Sequence, residues 1–79
     1  MEQQIKLIWD FRGPDAFPIA RHHHEHLKEY MVNEGLSSQI AGHKQLSPEH
    51  SIAFMVVPSA KMPVVRDALK PHRGELYEP

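Results

Sequence analysis

The chain contains no cysteine, and this absence excludes two ways of stabilising a small protein. Without thiols there is neither a disulfide framework nor a zinc site built on thiolates. The 79 residues form one domain, and a single core of this size is only marginally stable without further support. The supports that remain are association with a second copy and a metal site built on histidine.

Long apolar runs are also missing. No run approaches the roughly 20 residues that cross a bilayer. The N-terminal segment MEQQIKLIWDF lacks the basic region and long apolar stretch of a secretory signal. We therefore expect a cytoplasmic protein without a membrane partner.

A strong net charge is the third absence. Nine basic and ten acidic side chains give a formal net charge of −1 with neutral histidines. Because neutralisation of phosphates dominates nucleic-acid affinity, we expect no nucleic-acid partner. Histidine, in contrast, is abundant: the chain has seven, and four of them lie between positions 22 and 26.

The first strand is predicted from Ile5 to Arg12, where large apolar residues alternate with mostly polar ones. Trp9 and Phe11 belong to the apolar side, which we expect to face the helices. The other side is expected to lie on an open face of the sheet. It carries Lys6, Ile8, Asp10 and Arg12.

A helix is predicted from Ala16 to Glu34, with Asp15 as its N-cap and Gly35 as its C-terminal cap. Side chains at three- and four-residue spacing define its buried stripe. His23 and Tyr30 are expected beside that stripe. The stripe consists of Phe17, Ala20, His24, Leu27 and Met31.

The segment SQIAGHKQLSPEHSIAFMVVP predicts two strands joined by a turn at Ser47-Pro48-Glu49. Both sides of the second strand are apolar, so we expect it to be central. We expect Ala53, Met55 and Val57 on the open face, with Ile52, Phe54 and Val56 on the other. A short helix in SAKMPVVRDALKPH, carrying Met62, Val65 and Leu69 on one face, and an edge strand in GELYE complete the chain.

This order of elements is that of an α+β, ferredoxin-like fold, a split βαββα(β) pattern. It implies an antiparallel sheet with two helices on one face. The opposite face mixes polar and apolar residues, a composition typical of an interface. We therefore predict a homodimer whose sheets pack face to face or join edge to edge.

A metal site is one interpretation of the histidine cluster. His22, His26 and Glu29 stand at i, i+4 and i+7, and therefore on one helical face. Two imidazoles and a carboxylate are suitable ligands for zinc or nickel. The alternative is two solvated histidines paired with nearby carboxylates.

Acid–base catalysis is a second interpretation. His23 or His24 could act as a general base in a cleft if an acid such as Asp10 oriented it. The structural alternative is an imidazole that donates to a backbone carbonyl or a carboxylate. Arg12 suits a carboxylate or phosphate on a ligand; the alternative, which the sequence favours, is a surface arginine paired with a neighbouring acid. The remaining polar residues without a motif are expected to be solvated; they are His43, Lys44, His72 and Arg73.

The stretch HLKEYMVNEGLSSQIAG resembles the YciI-like family of small dimeric α/β-barrel proteins. The residues that carry the resemblance are His26-Leu27, Glu34-Gly35 and Ala41-Gly42, in that order. The resemblance implies a ferredoxin-like dimer with a cleft between helix and sheet. It also implies that His26 is the candidate active-site histidine.

Three functions remain open from the sequence. The first is a small-molecule site that binds or transforms an anionic metabolite, with His26 as acid–base group, His23 and Tyr30 in support, and Arg12 as anion contact. The second is a module, without enzymatic activity, that binds an effector or another protein. The third is a protein that binds metal through its histidines.

Overall fold

The computed structural model describes residues 3–35 and 40–78. It contains a four-stranded antiparallel sheet and two α-helices, which confirms the predicted α+β class. One turn of 3-10 helix, Ser59–Lys61, precedes the second α-helix. The other elements are β1 (Gln4–Arg12), α1 (Ala16–Asn33), β2 (Ala41–Ser47), β3 (His50–Pro58), α2 (Met62–Leu69) and β4 (Arg73–Tyr77).

The strands lie in the order β2-β3-β1-β4, so that β1 and β3 are central. β1 pairs with β3 along its whole length, from Gln4 opposite Pro58 to Arg12 opposite His50. On its other side β1 pairs with β4 only from Gln4 to Ile8. The part of β1 that follows Ile8 therefore extends beyond the paired part of β4.

The core lies between the two helices and one face of the sheet. Leu7 and Trp9 of β1 pack there with Leu27 and Met31 of α1 and with Val65 of α2. All five are 4% exposed or less. Apolar burial of this kind is the main favourable term in folding.

Trp9 also fixes the end of α2. Its Nε1 donates a hydrogen bond of 3.0 Å to the carbonyl oxygen of Leu69. The last carbonyls of a helix have no partner within the helix, so this bond satisfies one of them. Phe11 packs against the same core, and the predicted orientation of both aromatic residues is confirmed.

The orientation predicted for β3 is wrong. Leu7 pairs with Met55 and Trp9 pairs with Ala53. Opposite residues of antiparallel strands point to the same face, so this register fixes which side of β3 meets the helices. Both sides are apolar, and the alternation alone therefore could not decide. Ala53, Met55 and Val57 face the helices, and Ile52, Phe54 and Val56 lie on the open face.

The apolar side chains at the centre of the open face are buried within a single chain. Ile8 and Val56 are 1% and 0% exposed, although the helices pack on the other face. Nζ of Lys6 lies 4.5 Å from the centroid of the Phe54 ring, a cation–π contact on this face. Burial of these residues does not require a second copy, and the homodimer stays a prediction.

The ends of α1 agree with the prediction. α1 begins at Ala16 with Asp15 in the N-cap position, although the side chain of Asp15 makes no capping hydrogen bond. Gly35 has φ +64°, and its N–H donates to the carbonyl of Val32, as a C-terminal cap does.

The predicted stripe of α1 is correct at three of its four apolar positions. Ala20, Leu27 and Met31 are buried, whereas Phe17 is 38% exposed. His24 is half-buried. Neither helix in the described part of the chain combines the length and apolar composition that a bilayer crossing requires.

The remaining elements lie where they were predicted. The turn at Pro48-Glu49 joins β2 to β3, and Arg73–Tyr77 forms an edge strand beside β1. Val65 is buried on α2, with Met62 and Leu69 packed against the core. Ser38 and Gln39, the first residues predicted for the second strand, lie outside the described residues.

Gly42 and Gly74 give a matched test of packing on the two faces. A Cβ at Gly42 would lie 2.7 Å from Cζ of Phe54, whereas one at Gly74 would lie 3.5 Å from Cδ2 of Leu7. We predict that Gly42→Ala lowers the free energy of unfolding by about 1 kcal/mol, because Phe54 must shift. Gly74→Ala should be neutral or raise it by about 0.5 kcal/mol. Urea unfolding measures both, and equal values for the two variants would contradict the packing described.

Candidate functional site

Asp10 is the centre of a polar network on the open face. Its Oδ1 accepts from Nε2 of His50 at 2.8 Å, and its Oδ2 accepts from Nε of Arg73 at 3.0 Å. Nη2 of Arg73 also donates to Oδ1 at 3.2 Å, which makes the arginine contact bidentate. Since β1 lies between β3 and β4, this one carboxylate ties three strands together.

His72 continues the hydrogen bonding of β1 beyond the end of β4. The backbone N–H of Asp10 donates to Nδ1 of His72 at 2.8 Å, and the N–H of His72 donates to the carbonyl of Ile8 at 2.9 Å. The imidazole thus takes the place of a backbone carbonyl. Because Nδ1 accepts, the neutral ring carries its proton on Nε2. His72 and Arg73 were expected to be solvated; both are exposed, and both also contact Asp10.

The ionisation of Asp10 follows from these contacts. The hydrogen bond from the Arg73 guanidinium lowers the pKa of the Asp10 carboxyl, burial opposes this, and the hydrogen bond from His50 lowers it further. Asp10 is therefore a carboxylate at neutral pH and a weak proton acceptor. Its chemistry is to hold His50 and Arg73 in place.

His23 lies on the opposite face of the sheet from Asp10. Its ring centroid is 5.0 Å from that of Trp9 and 5.5 Å from that of Phe11. Burial lowers the pKa of His23, and the neighbouring histidines lower it further. Its Nε2 is buried and has no partner among residues 3–35 and 40–78. The predicted dyad requires that Asp10 contact a histidine of α1, but the carboxylate of Asp10 instead contacts His50 of β3.

The predicted metal ligands do not converge on one point. Nε2 of His22 lies 3.0 Å from Nε2 of His26, whereas Oε2 of Glu29 lies 4.0 Å from Nδ1 of His26. Glu29 and His22 therefore meet opposite nitrogens of the same ring. Among the residues that the structure describes, no three His, Asp or Glu side chains lie close enough together to hold a metal ion.

The other residues predicted for the site also lie apart. The side chain of His26 is 60% exposed and borders solvent rather than a cleft. Arg12 is exposed at the end of β1 on the open face, opposite His50. Tyr30 packs against the core on the covered face, where burial and the charge of Glu34 raise its pKa. The helix does not assemble a site from these residues.

A cleft lies between α2 and the edge formed by β4. Its volume of about 450 Å³ falls within the range of small-molecule sites, roughly 300 to 1,000 Å³. Gly74 leaves room in it, since its Cα carries no side chain above Leu7. The floor is apolar and is formed by Ile5, Leu7, Met62 and Leu76.

Arg66 and His72 bring polarity to the rim of this cleft. Arg66 is 56% exposed, and its contact with Asp67 is long, at 3.4 Å. Arg73 and Glu75 also border the cleft, but alternation directs their side chains to the open face, where Arg73 bonds Asp10. The cleft thus combines an apolar floor with one cationic group and one imidazole.

The network and the cleft meet at the start of β4. Asp10 bonds His72 through its backbone and Arg73 through its carboxylate, and His72 is on the rim. The cleft was not predicted from the sequence, because its residues come from three separate elements, β1, α2 and β4. One signal was present: Arg66 follows Met62 by one helical turn, at the margin of the predicted apolar face.

We predict that Asp10→Asn makes stability less sensitive to acid. A carboxyl with a lowered pKa contributes stability that is present at neutral pH and is lost as the pH falls below about 4. The variant should be less stable than the parent at pH 7, and the difference should shrink towards pH 2. Urea unfolding at several pH values measures this. Asp67→Asn, at an exposed residue, is the control, and an identical pH dependence in parent and Asp10→Asn would contradict the network.

Comparison with protein-family models, with curated proteins and with solved structures found no significant match for this chain. The resemblance to the YciI-like family, carried by His26-Leu27 and two further residue pairs, therefore stays a prediction. The features of the molecule that bear on its function are the α2–β4 cleft and the Asp10 network, which meet at the start of β4.

Proposed function

We propose that the chain is a ferredoxin-like domain that binds a small anionic molecule with an apolar body. The observation that carries the proposal is the α2–β4 cleft, about 450 Å³, with its apolar floor and with Arg66 and His72 on its rim. The order βαββαβ and the strand order β2-β3-β1-β4 support the fold assignment.

Each part of the cleft contributes a different term to binding. Contact with Ile5 and Leu76 removes apolar ligand surface from water, at about 25 cal/mol per Å². Arg66 offers a planar guanidinium that matches a carboxylate, sulfonate or phosphate. The apolar floor therefore supplies affinity, and the guanidinium supplies selectivity for an anion.

The tautomer of His72 favours binding over general-base catalysis. Its Nδ1 accepts the N–H of Asp10, so the neutral ring offers Nε2–H as a donor. A donor can bind an anionic oxygen, but it cannot remove a proton from a ligand. Of the functions open from the sequence, binding of an anion is the one that this cleft supports.

Two matched fluorescent probes test the proposal. Anilinonaphthalenesulfonate is an apolar anion, and N-phenylnaphthylamine is the same framework without the sulfonate. We predict that Arg66→Gln weakens binding of the sulfonate about tenfold, or about 1.4 kcal/mol, and leaves the neutral probe unchanged. Arg21→Gln, at an exposed arginine of α1, should change neither. Fluorescence titration of the parent and of both variants with each probe measures these affinities.

A second variant tests the location of the probe. Gly74→Val adds methyl groups beside Leu7 and Ile5, and it should exclude both probes while the urea midpoint stays constant or rises. Unchanged sulfonate affinity in both Arg66→Gln and Gly74→Val would refute the cleft as the binding site.

The homodimer predicted from the sequence also belongs to this proposal. Ile40, which precedes the edge strand β2, is 42% exposed, and Leu46, which lies in β2, is 45% exposed. An edge strand with exposed apolar residues favours pairing with a second copy edge to edge. Sedimentation velocity at micromolar concentration should detect a species of twice 9.1 kDa. Leu46→Lys should shift it to the single chain, and a parent that sediments as a single chain would rule out this pairing.

A further inference from the structure

His24 of α1 and His43 of β2 contact each other through the Nδ1 atoms of their rings. Their Nδ1 atoms lie 2.9 Å apart, in a part-buried position. The direction of His43 follows from its neighbour: Gly42 lies against the Phe54 ring on the open face, so His43 points to the helices. The two imidazoles therefore connect a helix to an edge strand.

One shared proton holds this pair together in the absence of a metal. Two nitrogens at this distance form a hydrogen bond only if one ring donates its Nδ1–H and the other accepts. If a divalent ion replaces that proton, the Nδ1 lone pair of each ring can coordinate the ion. With zinc–nitrogen bonds of about 2.0 to 2.1 Å and tetrahedral angles, the nitrogens would lie about 3.3 Å apart. The rings need to separate by only a few tenths of an ångström.

The surroundings hold the two imidazoles against each other. The Phe17 ring lies 5.4 Å from that of His43, edge to face, and limits its rotation. Burial lowers the pKa of His24; His43 and Lys28 add to the lowering, and Glu25 opposes it. The lowered pKa favours the neutral form of His24, which is the form that binds metal.

We propose that His24 and His43 bind one zinc-class divalent ion through their Nδ1 atoms. The ion bridges α1 and β2, and water or a small anion completes its coordination. This site is separate from the α2–β4 cleft, and the proposal does not depend on ligand binding there. It also differs from the His22–His26 pair, which lies on a single helix and joins no two elements.

Thermal unfolding in a background without the helix pair tests the site. In His22→Asn/His26→Asn, zinc above its dissociation constant should raise the melting temperature by about 5 °C or more, and a chelator should reverse the rise. Adding His43→Gln to that background should abolish the rise. A rise of the same size in the triple variant, or none in the double variant, would overturn the proposal.

A spectroscopic measurement keeps the proposal testable if His43→Gln does not fold. In a two-dimensional proton–nitrogen spectrum of the imidazoles of the double variant, stoichiometric zinc should shift the Nδ1 resonances of His24 and His43 together. Shifts of other histidines only, or no shift at all, would refute the bridge.

Discussion

The central position of β1 is the constraint on which the other features depend. Its alternation places Trp9 in the core beneath the helices and Asp10 on the opposite face. Because β1 is hydrogen-bonded to β3 and β4, each of these two side chains acts on neighbouring elements. Trp9 fixes the end of α2, and Asp10 fixes His50 of β3 and the start of β4.

These two attachments define the two walls of the α2–β4 cleft. Trp9 bonds the carbonyl of Leu69, which anchors the C-terminus of α2 to the sheet. Asp10 bonds His72 and Arg73, which anchors the first residues of β4. The cleft between them is therefore a consequence of consecutive residues of one strand. In the proposed function, Asp10 accordingly positions the walls of the cleft rather than contacting the ligand.

The sequence predicted the fold better than it predicted the site, for a physical reason. Periodicity identifies elements, and β1, α1, the turn at Pro48-Glu49 and the short β4 were all predicted from local patterns. Periodicity does not give register, so the face of β3 was assigned wrongly.

The site depends even more strongly on pairing between distant residues. Asp10 meets Arg73, which lies 63 positions further along the chain, and His24 meets His43. Arg73 and His43 are single polar side chains without a motif. The four histidines of α1 instead lie in three different environments. His23 packs against the aromatic residues of the core, His24 contacts His43 of β2, and His22 and His26 are exposed to solvent.

Amide chemical shifts test, residue by residue, whether an apolar anion binds in the α2–β4 cleft. In a proton–nitrogen correlation spectrum titrated with anilinonaphthalenesulfonate, we expect the largest shifts at Met62, Arg66, His72 and Gly74. The amides along the exposed face of α1 should stay in place. Shifts concentrated on α1, or spread evenly over the chain, would contradict binding in the α2–β4 cleft.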